Sequence, residues 1–600
     1  MRNIRYTAGQ KRKKTQHPPA RSVWKALPVL LCLLLAGCGF QSEGAFSGIL
    51  SPEETYEKTD TSKISVSDAG DLYGESDDGV TVVYLAVGLG NEADGTDHTW
   101  TEINSIPLNE QGPAPYQCEA VFQLGDETAP SEGSFGYGEL TANAVVRLQG
   151  ENASARQQKS YRVSIKDGKG SLDGLKTVVL SKSFTDPLRI TNKLCYDLMK
   201  DIPSLLSTRT QLVHLYVKDT TSGVDTLYED YGLYTMVEPI NKAYFKNRHL
   251  DDDGAVYKAN DFDFARHEDV IALSTSSQFR EDAFESLLEI KGDNDHSKLL
   301  AMLKAVNDPN VPIQEVIHTY FDRDNLFNWL AFNILVGNKD ASTENYYLYS
   351  PTGSDKFYFI SWDNDGALRD DYEEMRNPGQ SAAWDTGIFS FYDNVLFSRM
   401  LEDDACIASL STAVDDLYKT YLTESAVSSA VSRLTSLAKQ YVYSLPDKTF
   451  ARVTPPQYDT LAAGIYEQIT RNYYAYYDSL ELPAPFHILE PEKQADGSLR
   501  LSWEDASRGM DVAYDIALDD SWDFETPLLT ASGRKSTEWV IGQLPAGQYF
   551  LSVTAQTADG RSQIAYETYS TEVKTTLHGV LCFYVLPDGS VHASYFNEGE

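Results

Sequence analysis

From Val80 onward the chain carries short apolar runs with strand-like alternation: Val80-Thr-Val-Val-Tyr-Leu-Ala-Val87, Ala144-Val-Val-Arg-Leu148 and Tyr161-Arg-Val-Ser-Ile165. Their β-branched and aromatic residues predict strands. A helical stretch follows from about Pro187 to Asp201, and two more strands are expected at Leu212–Val217 and Tyr231–Glu238. The period then changes. Residues 280–338 read mostly as helix, with Leu326, Leu330 and Ile334 at i, i+4 and i+8 beside Trp329, the spacing of a buried stripe. Two short strands, Tyr346-Tyr-Leu-Tyr349 and Phe357-Tyr-Phe-Ile-Ser-Trp362, precede a return to helix over residues 394–480. A β-rich part ahead of an α-rich part predicts an α+β fold with two lobes.

The helical pattern stops at Leu482-Pro-Ala-Pro485. Short strands with turn signals follow: Ser498-Leu-Arg-Leu-Ser-Trp503, Val512-Ala-Tyr-Asp-Ile-Ala517 and Tyr549-Phe-Leu-Ser-Val-Thr-Ala555. Such spacing predicts a β-sandwich. The run Leu544-Pro-Ala-Gly-Gln-Tyr549 resembles the tyrosine corner of fibronectin type III domains, and Trp503 falls where their early-strand core Trp does. The expected division is 1–37 as export signal, 38–79 as a flexible acidic linker, 80–481 as the main domain, 482–576 as the sandwich and 577–600 as a tail. The tail holds one more strand-like run, Val580-Leu-Cys-Phe-Tyr-Val585, with no place assigned to it.

Charge sharpens the picture. The chain has 600 residues with 88 Asp and Glu against 51 Lys and Arg, a net charge of −37. Eight of those bases lie in the first 25 residues, so the remainder balances 88 acids against 43 bases, or −45. Such a field repels phosphate backbones and argues against a nucleic-acid partner. The basic start leads into an apolar run, Ala26 to Gly37, too short to span a bilayer but the right length for a signal-peptide core. It ends Leu35-Ala36-Gly37-Cys38, which resembles a bacterial lipobox and implies lipidation of Cys38 and an extracytoplasmic, membrane-anchored protein. Cys118, Cys195, Cys406 and Cys582 are too scattered for a disulfide framework or a metal site.

Candidate chemistry concentrates in Phe332-Asn-Ile-Leu-Val-Gly-Asn-Lys-Asp340-Ala-Ser-Thr-Glu-Asn345-Tyr-Tyr-Leu-Tyr349 and Phe359-Ile-Ser-Trp-Asp363-Asn-Asp365-Gly366. A helix ending at Gly337 hands over to a polar loop with Asp340 and Asn345, and a strand then delivers Asp363. Kinases place a catalytic Asp, an Asn five residues on and a metal-binding Asp after a strand in this order. A hydroxyl nucleophile needs an acceptor for its proton, and Mg²⁺ needs hard oxygen ligands. Capping and solvated hairpin residues, or a structural Ca²⁺ loop, fit the spacing as well.

The combination resembles the CotH family of spore coat protein H-like atypical kinases. The markers are Gly232-Leu-Tyr-Thr-Met-Val-Glu238, Gly254-Ala-Val-Tyr-Lys258, Asn338-Lys-Asp340, Asn345-Tyr-Tyr-Leu-Tyr349 and Trp362-Asp363-Asn-Asp365. Upstream, Gln149-Gly-Glu-Asn-Ala-Ser154 and Lys159-Ser-Tyr-Arg162 are similar to a further stretch, with Gln149 where the family has Arg. The resemblance spans about residues 80–480. It implies a two-lobed atypical kinase domain with Asp340 as catalytic Asp and Asn345 and Asp363 as Mg²⁺ (or Mn²⁺) ligands. It also implies ATP as cofactor, Lys159 on the phosphates and Glu238 lining the nucleotide pocket. Lys166 fits the phosphate-contacting role nearly as well as Lys159. Lys258 reads as a pocket-wall residue, and Tyr473, Tyr474, Tyr476 and Tyr477 as helix packing. The implied activity is transfer of the γ-phosphoryl of ATP to protein Ser, on basic Ser-containing acceptors that an acidic surface would attract. A catalytically idle surface-binding protein, or an enzyme acting on polyphosphate, are the other readings.

Overall fold

The computed structural model describes residues 66–74, 79–111, 114–150, 153–223, 226–376, 386–571 and 576–594. Cys38 and the export segment lie outside these residues. The alternating runs build a closed seven-stranded barrel: β1 (Thr81–Gly88), β2 (Gln117–Gly125), β3 (Ala144–Gln149), β4 (Ser160–Ile165), β5 (Thr177–Ser181), β6 (Thr210–Asp219) and β7 (Glu229–Val237). The strand order is β1-β2-β3-β4-β5-β7-β6, and parallel pairing of β1 with β6 closes it. Closure removes both sheet edges. Ala144, Val146 and Leu148 of β3 and Tyr161, Val163 and Ile165 of β4 fill the interior. The alternate positions face outward, which sets Arg147 opposite Arg162 on the outer wall.

A second sheet follows, in the order β11-β10-β8-β9: β8 (Ala255–Ala259), β9 (Leu288–Ile290), β10 (Tyr346–Ser350) and β11 (Tyr358–Ser361). The stretch 280–338 is helical as expected over Ser297–Val306, Ile313–Tyr320 and Arg323–Val336, but it also holds β9, three residues with no period to read. The helix Arg323–Val336 is buried nearly all round. Trp329 stacks on Phe359 of β11 with ring centroids 4.5 Å apart, joining helix and sheet. Helices Glu424–Val442 and Pro455–Leu480 complete the α-rich part, and Tyr473 and Tyr477 both donate to Asp415, so the tyrosine cluster packs helix on helix. α+β holds for the main domain.

One buried carboxylate fastens the barrel to this body. Asp447 pairs with Lys182 at 2.7 Å and accepts from Gln158 Nε2 and Leu233 N, each at 2.7 Å. Gly232 has φ 78°, and a Cβ there would lie 2.2 Å from Asp447 Oδ2. The first glycine of the Gly-Leu-Tyr motif is therefore required by both conformation and space.

Two domain boundaries shift. The described part of the expected linker, residues 66–74, docks on the body: Asp68 pairs with Arg248 at 2.8 Å and accepts from Ser207 N at 2.9 Å. The expected tail is sandwich. Its sheets are β12 (Ile488–Lys493), β13 (Leu499–Trp503) and β16 (Glu538–Ile541) on one side. On the other are β14 (Val512–Asp519), β15 (Leu529–Arg534), β17 (Gly547–Thr557), β21 (Val580–Val585) and β22 (Val591–Ser594), with β18 (Ser562–Ile564) beside β17. A small ribbon, β19 (Thr568–Ser570) with β20 (Thr576–His578), precedes β21. The unplaced run is β21, hydrogen-bonded between β17 and β22 and buried because both of its neighbours and the facing sheet cover it. Tyr549 donates its hydroxyl to Pro545 O at 3.0 Å, the back-bonded geometry of a tyrosine corner. The four described cysteines are buried and free.

Candidate active site

The site is built where the helix Arg323–Val336 ends. Gly337 adopts φ 63°, ψ 35°, the left-handed conformation that terminates helices, and donates to Ile334 O. Asn338 turns back, donating from its backbone to Asn333 O at 2.9 Å and from Nδ2 to Asn333 Oδ1 at 3.1 Å. A short turn, Lys339–Ser342, then presents Asp340. The hairpin β10–β11 brings the chain back: Tyr346 pairs with Ser361, and Trp362 N donates to Asn345 O at 2.9 Å. Asn345 and Asp363 thus leave the same end of one hairpin.

The next turn closes the arrangement. Gly366 lies so near Asp340 that a Cβ there would be 2.4 Å from Asp340 Oδ2. Leu368 N donates to Val336 O at 2.8 Å, pinning this turn to the helix end. Asp340, Asn345 and Asp363 come together, with Asp365 beside them. Asn345 and Asp363 have φ of 62° and 49°. Left-handed backbone at two non-glycine residues within one site is the kind of strain that surrounding structure must hold in place. Here the helix Thr191–Met199 does so. Asn192 Oδ1 accepts from Asn364 N at 3.0 Å, its Nδ2 lies 3.5 Å from Asp363 Oδ1, and Tyr196 OH accepts from Asp363 N at 3.2 Å.

Burial and like charge act together here. Burial, then the Asp365 carboxylate, push the Asp363 carboxyl up, while Arg156 and Lys258 pull it back. Asp365 is raised by burial, with Asp186 and Asp340 adding to it. Asp340 reaches solvent from a recess that desolvates it and raises its carboxyl, against Arg369 and Lys339. Among the described residues no three carboxylate, His or Cys side chains form a ready-made metal cluster. The donor set nevertheless fits Mg²⁺, which is commonly held by one or two carboxylates together with substrate phosphates and water. Asn338 Oδ1 and Asn364 Oδ1 are buried here without a partner, so further oxygen donors are to hand.

The two residues expected on the nucleotide are placed elsewhere. Lys159 Nζ donates to Ser154 O at 2.7 Å and Arg156 O at 2.8 Å, clamping its own turn. Arg156, on that turn, is one of the two cations, with Lys258, whose charge favours the ionised Asp363 carboxylate. Lys166 pairs with Glu119 at 2.5 Å on the barrel wall. Glu238 is fully buried, its oxygens taken by Arg209 at 2.8 Å and Arg248 at 3.0 Å. The resemblance implies a pocket lining for this acid at the end of a strand, but two guanidiniums from outside the strand claim it.

Arg147, Arg156, Arg162, Asn192 and Tyr196 have no site role in the sequence, where Lys258 reads only as a pocket-wall residue. Arg147 and Arg162 lose charge stability through burial and both feel Glu289 of β9; Arg162 also feels Tyr347 of β10. Among the described residues neither arginine is hydrogen-bonded or ion-paired. Lys258 lies 3.9 Å from Glu289. Arg147 and Arg162 occupy paired outward positions of β3 and β4, and the charge of Glu289 on β9 acts on both.

Residues 146–476 match the family model described as CotH kinase protein, more than half of the chain. The chain belongs to the CotH family. The matched CotH range begins inside β3 and ends in the helix Pro455–Leu480, so it holds every residue of the site just described. No curated protein matches the chain. Among solved structures it is similar to that of HipA with HipB and operator DNA from Shewanella oneidensis MR-1, at 14% identity and a TM-score of 0.23, covering 54% of this chain and 65% of that one. The N-terminal part of the bacterial S-layer protein SbsC aligns at 12% identity and a TM-score of 0.11, covering 50% of this chain and 78% of that one. Superpositions that loose leave the CotH chain's own geometry as the ground for its chemistry.

Proposed function

We propose that this CotH-family protein transfers the γ-phosphoryl of ATP to a hydroxyl of a protein, with the nucleotide held between the barrel and the β8–β11 sheet as between the two lobes of an atypical kinase. The observation that carries the reading is the convergence of Asp340, Asn345 and Asp363 at one helix end and one hairpin end. Asp340 accepts the proton of the acceptor hydroxyl; its raised carboxyl suits a group that must bind a proton. Asp363 and Asn345 hold Mg²⁺ or Mn²⁺, which when bound neutralises charge on the transferred phosphoryl. Arg156 and Lys258 stand in for the lysine expected at position 159. Arg147 and Arg162 add positive charge to this side of a chain of net charge −37, and Glu289 acts on both of them and lies 3.9 Å from Lys258.

The remaining features extend the same reading. Anchoring through Cys38 would place the enzyme on the outer face of a membrane, and basic Ser-containing proteins would be its acceptors. The back-bonded Tyr549 supports a fibronectin type III-like role for the sandwich, as a spacer or docking module.

The test is phosphotransfer from labelled ATP with Mg²⁺ or Mn²⁺ by the purified chain. Asp340→Ala and Asp363→Ala are expected to lower turnover by about a thousandfold or more, and Lys258→Met to raise KM for ATP roughly tenfold with a smaller effect on kcat. Equal turnover from wild type and both Asp variants removes the assignment. ATP binding without transfer under any metal would favour the idle, binding-protein reading.

A further inference from the structure

The sandwich touches the catalytic body at one functionally placed segment, residues 387–394. Phe389 stacks on Tyr566 of the sandwich, centroids 4.6 Å apart and planes 11° from parallel. His487, also of the sandwich, places Nε2 3.6 Å from Asp393 and Nδ1 3.0 Å from Glu567. The next residue, Asn394, is fully buried and does two jobs. Its Oδ1 caps the helix Val395–Leu401, and its Nδ2 donates to Ser342 O at 2.7 Å. Ser342 is the last residue of the turn that carries Asp340.

The other side of the segment is fixed to the body. Ile388 N donates to Ser479 Oγ at 3.2 Å, and Gly387, at φ 64°, leaves no room for a Cβ, which would lie 2.4 Å from the same oxygen. Residues 387–394 are therefore held by the long helix at one end and by the sandwich along their length, and they end on the catalytic turn. The turn itself, four residues of tight helix with no side-chain cap at its start, has few bonds of its own.

We propose that the C-terminal sandwich braces the catalytic turn, with His487 and Tyr566 holding residues 387–394 and Asn394 passing that constraint to Ser342 as a positioning residue for Asp340. The functional part of this rests on the kinase reading above; the mechanical part does not. The sandwich is then no bystander module: undocking it loosens the geometry of Asp340 while the nucleotide wall, built from barrel and β8–β10 residues, stays in place. Loss of the brace should lower kcat and spare KM for ATP.

Hydrogen exchange of the whole chain, read by mass spectrometry, separates the two parts. His487→Ala and Tyr566→Ala are expected to speed exchange over residues 339–345 and 386–394 by roughly tenfold or more while β1 and β6 keep wild-type protection. Asp393→Asn, which keeps size and removes the charge facing His487, should act in the same direction. Unchanged exchange over 339–345 in these variants overturns the brace. If a substitution unfolds the sandwich outright, exposing β17 amides, the same peptide still decides: protection retained at 339–345 overturns the proposal, and protection lost supports it. In a kinetic assay kcat should fall about tenfold with KM for ATP changed less than twofold. A wild-type chain without phosphotransfer but with this exchange response removes the kinase reading and keeps the brace; active variants with undisturbed exchange do the opposite.

Discussion

Asp340 has its position because Gly366 has no side chain. A Cβ there would sit 2.4 Å from Asp340 Oδ2, and the carboxylate, as the free end of a side chain, is what would move. Gly366→Ala should therefore cost little stability and much activity: kcat down about 10–100-fold with the melting temperature within a few degrees of wild type. Steady-state kinetics beside a thermal melt checks this, and a variant with wild-type kcat would show that Asp340 need not occupy this place. The same scale explains why Asn345 and Asp363 carry left-handed backbone. Asn and Asp tolerate φ > 0 better than other residues with a Cβ, so the residue types of the proposed metal ligands and the turn geometry they occupy coincide.

At the level of elements, β7 shows how a motif can be right and its role misread. Its Gly232 admits Asp447, and its far end runs into Glu238, which is locked by Arg209 and Arg248 with Asp68 on the other side of Arg248. Burial opposes the charge on Glu238, but hydrogen bonds and charge from the two arginines win and hold its carboxyl below the usual range. Both motif residues serve the joint between barrel and body. Glu238→Ala removes one of the two acids on the fully buried Arg248, leaving Asp68, and also the acid paired with Arg209, at a cost of up to about 3–5 kcal/mol. Denaturant unfolding should show that loss, and nucleotide affinity of the folded fraction should stay within about twofold. Weaker ATP binding at unchanged stability would return Glu238 to the nucleotide pocket. Strands are legible where alternation is regular, as in β3 and β4, or where an apolar β-branched run is long, as in β1. The three residues of β9 have no readable period; β9 is fixed by pairing with β8, and of its three residues only Leu288 is fully buried.

Across the whole molecule, two histidines tie parts together by charge. His214 of β6 faces Asp230 of β7 at 2.8 Å and Glu127 at 2.9 Å, and Glu127 also accepts from Tyr216 and from Tyr441 of the helix Glu424–Val442. His487 faces Glu567, Glu504 and Asp393. Burial works against both imidazolium ions, yet the carboxylates outweigh it and each pKa is raised. A raised folded value means that the stabilisation is complete below the unfolded-state value of about 6.5 and is lost as pH climbs through the folded values. The melting temperature should fall as pH rises from about 6 to about 9, and His214→Gln with His487→Gln should flatten that slope. A slope unchanged in the double variant would place the pH dependence elsewhere.

The order of Asp340, Asn345 and Asp363 after a buried, Gly-capped helix was readable in one dimension, because helix period, capping and strand alternation are local properties. So was a β-sandwich after Pro485, and so were lone cysteines that make no framework. What local properties could not supply was the partner of each charge. Lys159 turns to the carbonyls of its own loop, Glu238 to two arginines, and the cations acting on Asp363 come from the turn between β3 and β4 and from β8 of the second sheet. Electrostatic pairing depends on distances in space that neither sequence separation nor local period records, and only the tertiary fold sets those distances.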